Sequence, residues 1–377
     1  MQTTTRQTAR RASRQSLANA GSPRPQPASI ALLAIACLCL IASFAAGLLR
    51  AAEPGYVLHR AKSKTIRGTL AFEIHVPDLV VSEWIFFASK APALPGQTDT
   101  QTRMSLGGEP YLDLSPRGHA LLRARIPVAD ESQRHTLRGE IVWQATLYSR
   151  KLVKGPGDGQ PHLLDVLNRK AALVESPTLD YSAPPFQDWL TRHRLQRASG
   201  ESELDFARRT YLTITHAYHY DYEAKMDRRA SHLCQTDQAD CGGMCALFVA
   251  ALRANGVPAR MLFGRWAKSS HAGATLHGVA YIQQHVKAEF HVDGVGWVPA
   301  DLSSGVTRDK TPEGLKYFGD DPGDFIAIHA DPDFEVDSVH WGRKEIVLMQ
   351  SYTYYVRGKG KLDNVTTDRV WRVETLE

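Results

Sequence analysis

Asp240-Cys241-Gly242-Gly243-Met244-Cys245-Ala246-Leu247-Phe248-Val249-Ala250-Ala251-Leu252-Arg253-Ala254-Asn255-Gly256-Val257-Pro258-Ala259-Arg260 is the stretch that decides the fold. Apolar residues at 244, 247, 248, 251 and 252 recur at helical spacing, and Gly256 and Pro258 end the run. Two glycines after Cys241 let the backbone turn tightly, so the cysteine reads as a nucleophile mounted at a helix N-terminus. A thiol there faces the orphan N–H groups and the positive end of the helix dipole, which favour thiolate over thiol and draw a Cys pKa below its usual ~8.5. The same N–H groups can hold an oxyanion.

A thiolate needs a proton partner. Downstream lies His285-Val286-Lys287-Ala288-Glu289-Phe290-His291-Val292-Asp293-Gly294-Val295-Gly296-Trp297-Val298-Pro299-Ala300-Asp301, which reads as a hairpin: residues 285–292 extended, Asp293-Gly294 the turn, 297–300 the returning strand. His285 and Asp301 then meet at the open end of two paired strands, where a carboxylate can fix one imidazole tautomer and leave the other ring nitrogen for the cysteine.

From Asp240 to Asp301 the chain resembles the transglutaminase-like superfamily, with its papain-like Cys-His-Asp core. Gly256-Val257-Pro258-Ala259-Arg260 is similar to the family's Gly-Ile-Pro-Ala-Arg segment, and His285, Glu289, Gly296-Trp297 and Asp301 fall where the family has its His, hairpin Glu, Gly-Trp pair and Asp. The likeness runs from about Asp188 to Thr311, a third of the chain. It implies Cys241 as nucleophile, His285 as general base and acid, and Asp301 as orienting carboxylate. Two positions depart from the pattern: Lys287 stands where many members carry Trp, and Gly243 where an acidic or polar residue is common. Both bear on substrate choice more than on the three chemical positions.

Each of these residues also has a plainer reading. A cysteine in an apolar helix is often a small core residue, and Cys245 is read as one. His285 alone fits a surface strand, Asp301 a strand-ending turn, and Trp297 core packing. His232, Cys234, Cys241 and Cys245 can be drawn as a zinc site, but their spacing lacks the paired Cys-x-x-Cys knuckles of structural zinc. No cofactor or metal is expected, calcium included, because no acidic EF-hand-like loop is present. In an oxidising compartment a Cys234–Cys245 bridge would leave Cys241 free.

With 377 residues, 43% hydrophobic and 23% charged, the chain can bury a sizeable core. The net charge of +5 misleads. Residues 1–50 hold six Arg and no acid, leaving 39 Lys and Arg against 40 Asp and Glu, so no nucleic-acid footprint is expected. The first 54 residues read as a basic segment followed by the uncharged apolar stretch 30–49. As a helix this is long enough for a ~30 Å bilayer core. Export is expected, by an uncleaved single-pass anchor with its N-terminus inside or by a signal cleaved near Ser43-Phe44-Ala45, placing the rest in the periplasm or outside the cell. An organellar transit peptide and a twin-arginine signal at Arg10-Arg11 are weaker alternatives.

Residues 55–175 read as an all-β, sandwich-like domain, with strands at 68–77, 80–88, 121–128 and 139–153 and no helical periodicity. Ser176 to Pro185 reads as a Pro-rich linker, and 186–377 as the catalytic domain, opening with helical patterns at 186–195 and at 203–216 behind a Ser202 cap. Tyr218, Tyr220 and Tyr222 cluster ahead of the nucleophile, to be read as core or, alternatively, as cleft lining. Strand candidates at 325–330, 345–350, 352–356 and 370–373 would complete the catalytic sheet. The expected class is α+β, and the expected chemistry is attack of Cys241 on a protein or peptide amide to give a thioester. Hydrolysis is placed ahead of lysine cross-linking, with a non-catalytic binding module as a third reading.

Overall fold

The computed structural model describes residues 55–376 apart from 116–117, 130–133, 157–161 and 277. The apolar stretch 30–49 lies outside them. Among the described residues, no helix is long and apolar enough to cross a membrane.

The chain begins with strands: β1 (Tyr56–His75), β2 (Leu79–Ser89), β3 (Gln97–Met104), β4 (Glu109–Leu112), β5 (Ala120–Pro127) and β6 (Thr136–Lys154). In β1 the side chains of Ile66, Leu70, Phe72 and Ile74 are buried on alternate positions, the period-two pattern of a half-covered strand. In β2 burial is continuous from Glu83 to Ser89. Its Trp84 and Phe86 join one core while Ile85 and Phe87 join another, so both of its faces are covered. Strands β3 and β4, rich in Thr, Gln and Glu, carry little hydrophobic pattern, and the sequence reading passed over them.

Helices and the catalytic sheet follow: α1 (Val166–Ala171), α2 (Pro184–Arg192), α3 (Glu203–Ala217), α4 (Ala230–Leu233), α5 (Cys241–Ala254), β7 (Ala259–Trp266), β8 (Gln284–Val292), β9 (Gly296–Ala300), α6 (Leu302–Arg308) and β10 (Phe325–Ala330). Helix α1 falls inside the stretch expected to be all strand. Asp165 caps it by accepting the N–H groups of Leu167 and Asn168, and none of its residues is buried, so no hydrophobic period announces it. The expected linker is pinned instead: Leu179 is fully buried, and Thr178 N and Oγ1 and Ser176 Oγ all donate to Asp333.

The last strands are β11 (Phe334–Asp337), β12 (Arg343–Ile346), β13 (Tyr352–Gly360) and β14 (Thr366–Thr375). Of the C-terminal candidates, β10 alone joins the sheet that carries His285, whose order is β9-β8-β7-β10. Strand β14 pairs antiparallel with β1, and β13 with β2, so the sheets of the N-terminal β-rich stretch take strands from both ends of the described chain. One sheet holds β3, β6, β1 and β14, the other β13, β2, β5 and β4. They enclose a shared core of Leu70, Phe86, Trp143 and Trp371, to which β10 contributes Ile326 and Ile328. Gly68 permits this closure, because a Cβ there would stand 2.0 Å from the Trp371 ring. The result is an α+β fold of antiparallel sheets with few helices. The described residues group as one compact unit.

Candidate active site

Helix α5 lies against β8: Met244, Leu247 and Phe248 share a buried core with Val286, Ala288, Phe290 and Val292. Asp240 caps it, its Oδ1 accepting the Gly243 N–H at 2.8 Å, and Gly256, at φ +73°, follows its C-terminus. Gly243 admits no side chain, since a Cβ would meet Leu233 at 2.7 Å and Ala239 at 3.1 Å. Close packing accounts for a glycine at this position.

Cys241, the first residue of the helix, is half-buried and free. Val286, the residue after His285, lines the same cleft as Cys241, and its backbone works to lower the thiol. Cys245 Sγ meets Val286 O at 3.6 Å and Cys234 Sγ meets Ser231 O at 3.3 Å; both are buried thiols, unbridged. No group of three His, Cys, Asp or Glu side chains able to hold a metal occurs among the described residues, so the drawn zinc cluster is not assembled.

His285 and Asp301 meet at the open end of the hairpin, Nε2 to Oδ2 at 2.9 Å, both buried. Asp301 also caps α6, accepting Ser304 N at 3.0 Å on Oδ1 and Ser304 Oγ at 2.9 Å on Oδ2. Burial works against its ionisation, but the His285 imidazole, the Lys287 ammonium and the Ser304 N–H together hold the carboxyl well below the usual carboxylate range. The same charge contributes to raising Cys241 and Cys245, which sets the pair and both thiols in one electrostatic neighbourhood.

The thiol departs from the sequence expectation. Burial pushes the Cys241 thiol up, the adjacent Asp240 carboxylate adds to that, and the Val286 N–H and Arg228 offset only part of it. The helix terminus does not outweigh burial and, after it, the charge of the Asp240 carboxylate that caps the helix. No hydrogen bond joins Cys241 to His285 among the described residues, and His285 Nδ1 keeps no protein partner there.

Lys287, at the position where the resemblance has Trp, is enclosed by acids and rings. It is buried between Asp321, at 3.2 Å, and Asp324, at 3.6 Å, with its ammonium 4.9 Å above the Trp266 ring. Trp266 itself stacks on His285, with ring centroids 4.2 Å apart, and Phe325 meets the imidazole edge-on. The aromatic support comes from β7 and β10. The hairpin Glu289 is fully buried between Arg150 of β6 and Arg260 of β7.

A cleft of about 330 Å³ opens beside Cys241. Tyr220 and Tyr222 line it, whereas Tyr218 is buried with its hydroxyl on Leu233 O, so the tyrosine cluster divides between lining and core. Tyr281, Gln284, Gln350 and Arg369 were not singled out from the sequence. The last two arrive from more than one hundred residues downstream, and no local pattern marks them.

Residues 192–302 match the family model described as the transglutaminase-like superfamily. This segment belongs to that superfamily. The transglutaminase-like segment contains Cys241, His285 and Asp301. An uncharacterized protein of Haemophilus influenzae is 37% identical over 73 residues, 16% of this chain and 20% of that protein. The chain thus spans about a fifth of the length of the curated relative it matches. Among solved structures, a candidate cysteine protease from Cytophaga hutchinsonii aligns with a TM-score of 0.49 at 11% identity, covering 85% of this chain and 93% of that one. The periplasmic domain of TgpA from Pseudomonas aeruginosa aligns with a TM-score of 0.34 at 14% identity, covering 72% and 94%.

Proposed function

We propose that the chain is a transglutaminase-like cysteine enzyme that opens protein or peptide amides through a thioester on Cys241. The observation that carries this reading is the buried His285–Asp301 pair at 2.9 Å, which engages Nε2 and leaves Nδ1 to take the thiol proton. In this reading Cys241 rests neutral, and substrate binding brings sulfur and Nδ1 together as attack begins, a contact that commonly tightens only in the substrate complex. The proton taken by His285 passes to the departing amine, and the thioester remains. The N–H groups of Cys241 and Gly242, which donate to no protein acceptor among the described residues, suit the tetrahedral oxyanion.

Water is favoured over a lysine amine as the second nucleophile. Arg228 and Arg369 line the cleft, and the one carboxylate lining it among the described residues, Asp240, is already paired with Arg228, so an incoming ammonium meets net positive charge. A non-catalytic binding module is the second reading, favoured by the missing thiol–imidazole hydrogen bond and the raised thiol. The proposed setting is outside the inner membrane, on the strength of the Arg-rich, acid-free leader and the apolar stretch 30–49.

The test uses the chain from Gly55 onward with internally quenched peptides and, in parallel, dansylcadaverine incorporation into casein. Peptide cleavage abolished by Cys241→Ser and by His285→Gln, with no amine incorporation, supports a hydrolase. Amine incorporation would make it a cross-linking enzyme. Neither activity, with peptide binding unchanged in Cys241→Ser, would replace the catalytic reading by the binding module.

A further inference from the structure

Positive charge outnumbers negative in the cleft beside Cys241. Of its two arginines, Arg228 is bound by Asp240 through Nε and Nη2. Arg369 of β14 is different. No ion pair or side-chain hydrogen bond engages its guanidinium among the described residues, and its Nε is buried without an acceptor.

Arg265 of β7 stands behind it, fully buried. Its two terminal nitrogens donate to the carbonyl oxygens of Ile282 and Gln350, its Nε has no acceptor, and its guanidinium lies 5.3 Å over the Trp371 ring. Burial, and after it the nearby Arg369 charge, brings Arg265 down to about 9. The Tyr352 hydroxyl, within reach of both charges, is likewise buried without a partner. Two guanidiniums and a hydroxyl therefore converge with no carboxylate among them. Buried donors of this kind are normally satisfied, and unpaired cations in a desolvated place are costly. What would satisfy them is an anion.

We infer that Arg369 forms an anion subsite of the Cys241 cleft, taking a carboxylate of the bound peptide, with Arg265 supplying background charge. The inference rests on the proposed role of Cys241 only in naming the ligand a substrate. A planar guanidinium matches a carboxylate in two-point fashion and keeps its charge at any working pH. The carboxylate is either the chain terminus of the peptide or an acidic side chain next to the amide under attack.

The test reads charge at the thiol, without requiring turnover. Cys241 is labelled with sulfonatoethyl methanethiosulfonate and, separately, with its trimethylammonium counterpart, and the rates are obtained by peptide mapping. The anionic reagent is expected to react about tenfold faster than the cationic one after correction for their rates with a free thiol. Arg369→Gln should abolish the preference, Arg369→Lys should keep most of it, and Lys359→Gln, on the exposed end of β13, should leave it unchanged. N-acetylglycine and the α-amide of N-acetylglutamate then compete for the site, and whichever slows anionic labelling identifies the source of the carboxylate. An equal preference in wild type and Arg369→Gln, or no slowing by either competitor, overturns the inference. Loss of peptide cleavage in His285→Gln bears on the catalytic reading alone, because the labelling ratio does not depend on it.

Discussion

Asp301 serves His285 and a helix with one carboxylate: Oδ2 holds Nε2 at 2.9 Å while Oδ1 accepts the Ser304 N–H at 3.0 Å. The two duties are separable. Asp301→Ser keeps a cap acceptor and removes the partner of the imidazole, so kcat is expected to fall by about 10²–10⁴ while the melting temperature moves little. Asp301→Ala should add about 1 kcal/mol of destabilisation in urea. Equal kcat in wild type and Asp301→Ser would remove the orienting role.

Cys241 is expected to behave as an acid weaker than an ordinary thiol, because burial and the Asp240 carboxylate outweigh the Val286 N–H and Arg228. Iodoacetamide should label the resting enzyme about tenfold faster for each unit of pH between 6 and 9. No plateau is expected on the acid side, and His285→Gln should not change the slope. A plateau below pH 6 that disappears in the variant would mean that a thiolate–imidazolium pair stands before substrate arrives.

Acid stability should show two limbs. His329 is buried and held down to about 3, by burial first and His119 next, so the folded state resists a proton that the unfolded chain accepts below its ordinary value near 6.5. Its contribution is complete above that value and is lost as pH falls towards 3. For Asp321, burial raises the carboxyl, but Lys287 and Arg150 overcome this and lower it to about 2. About 2 kcal/mol present above pH 4 is therefore lost between 4 and 2. Urea midpoints across pH 2–7 should show the upper limb flattened by His329→Gln.

Glu289 is the junction between the catalytic sheet and β6, with Arg150 on one side and Arg260 on the other. Glu289→Gln leaves Arg260 without its anion and Arg150 with Asp321 alone, and should cost about 3–5 kcal/mol in chemical denaturation. The triple change of Glu289→Leu, Arg150→Met and Arg260→Met should recover much of that loss. A cost under 1 kcal/mol for the single change would show that the arginines find other partners.

Much of the catalytic core was legible because its signals are local. The 3.6-residue period fixed α5, and Asp293-Gly294 set the hairpin that brings His285 to Asp301. Less visible was whatever depends on distant pairing. Trp266 cannot be seen as the ring stacked on His285 until β7 lies beside β8. Arg369 enters the cleft on β14 and Gln350 in the segment just before β13, and the partners of both strands lie near the other end of the described chain. The thiol was misread because a dipole can be inferred from one helix, whereas desolvation and the nearness of Asp240 emerge only when the elements are packed. Polar β3 and exposed α1 carried no hydrophobic period to read.

The pairing of β14 with β1 has a temporal meaning. The last strand described lies beside the first, and it brings Arg369 to the cleft and Trp371 to the centre of the sandwich core. A ribosome-bound chain lacking residues 366–375 holds Cys241, His285 and Asp301 yet has neither that wall nor that seal. The cleft and the sandwich core are therefore both left incomplete until residues 366–375 have been made and have paired with β1.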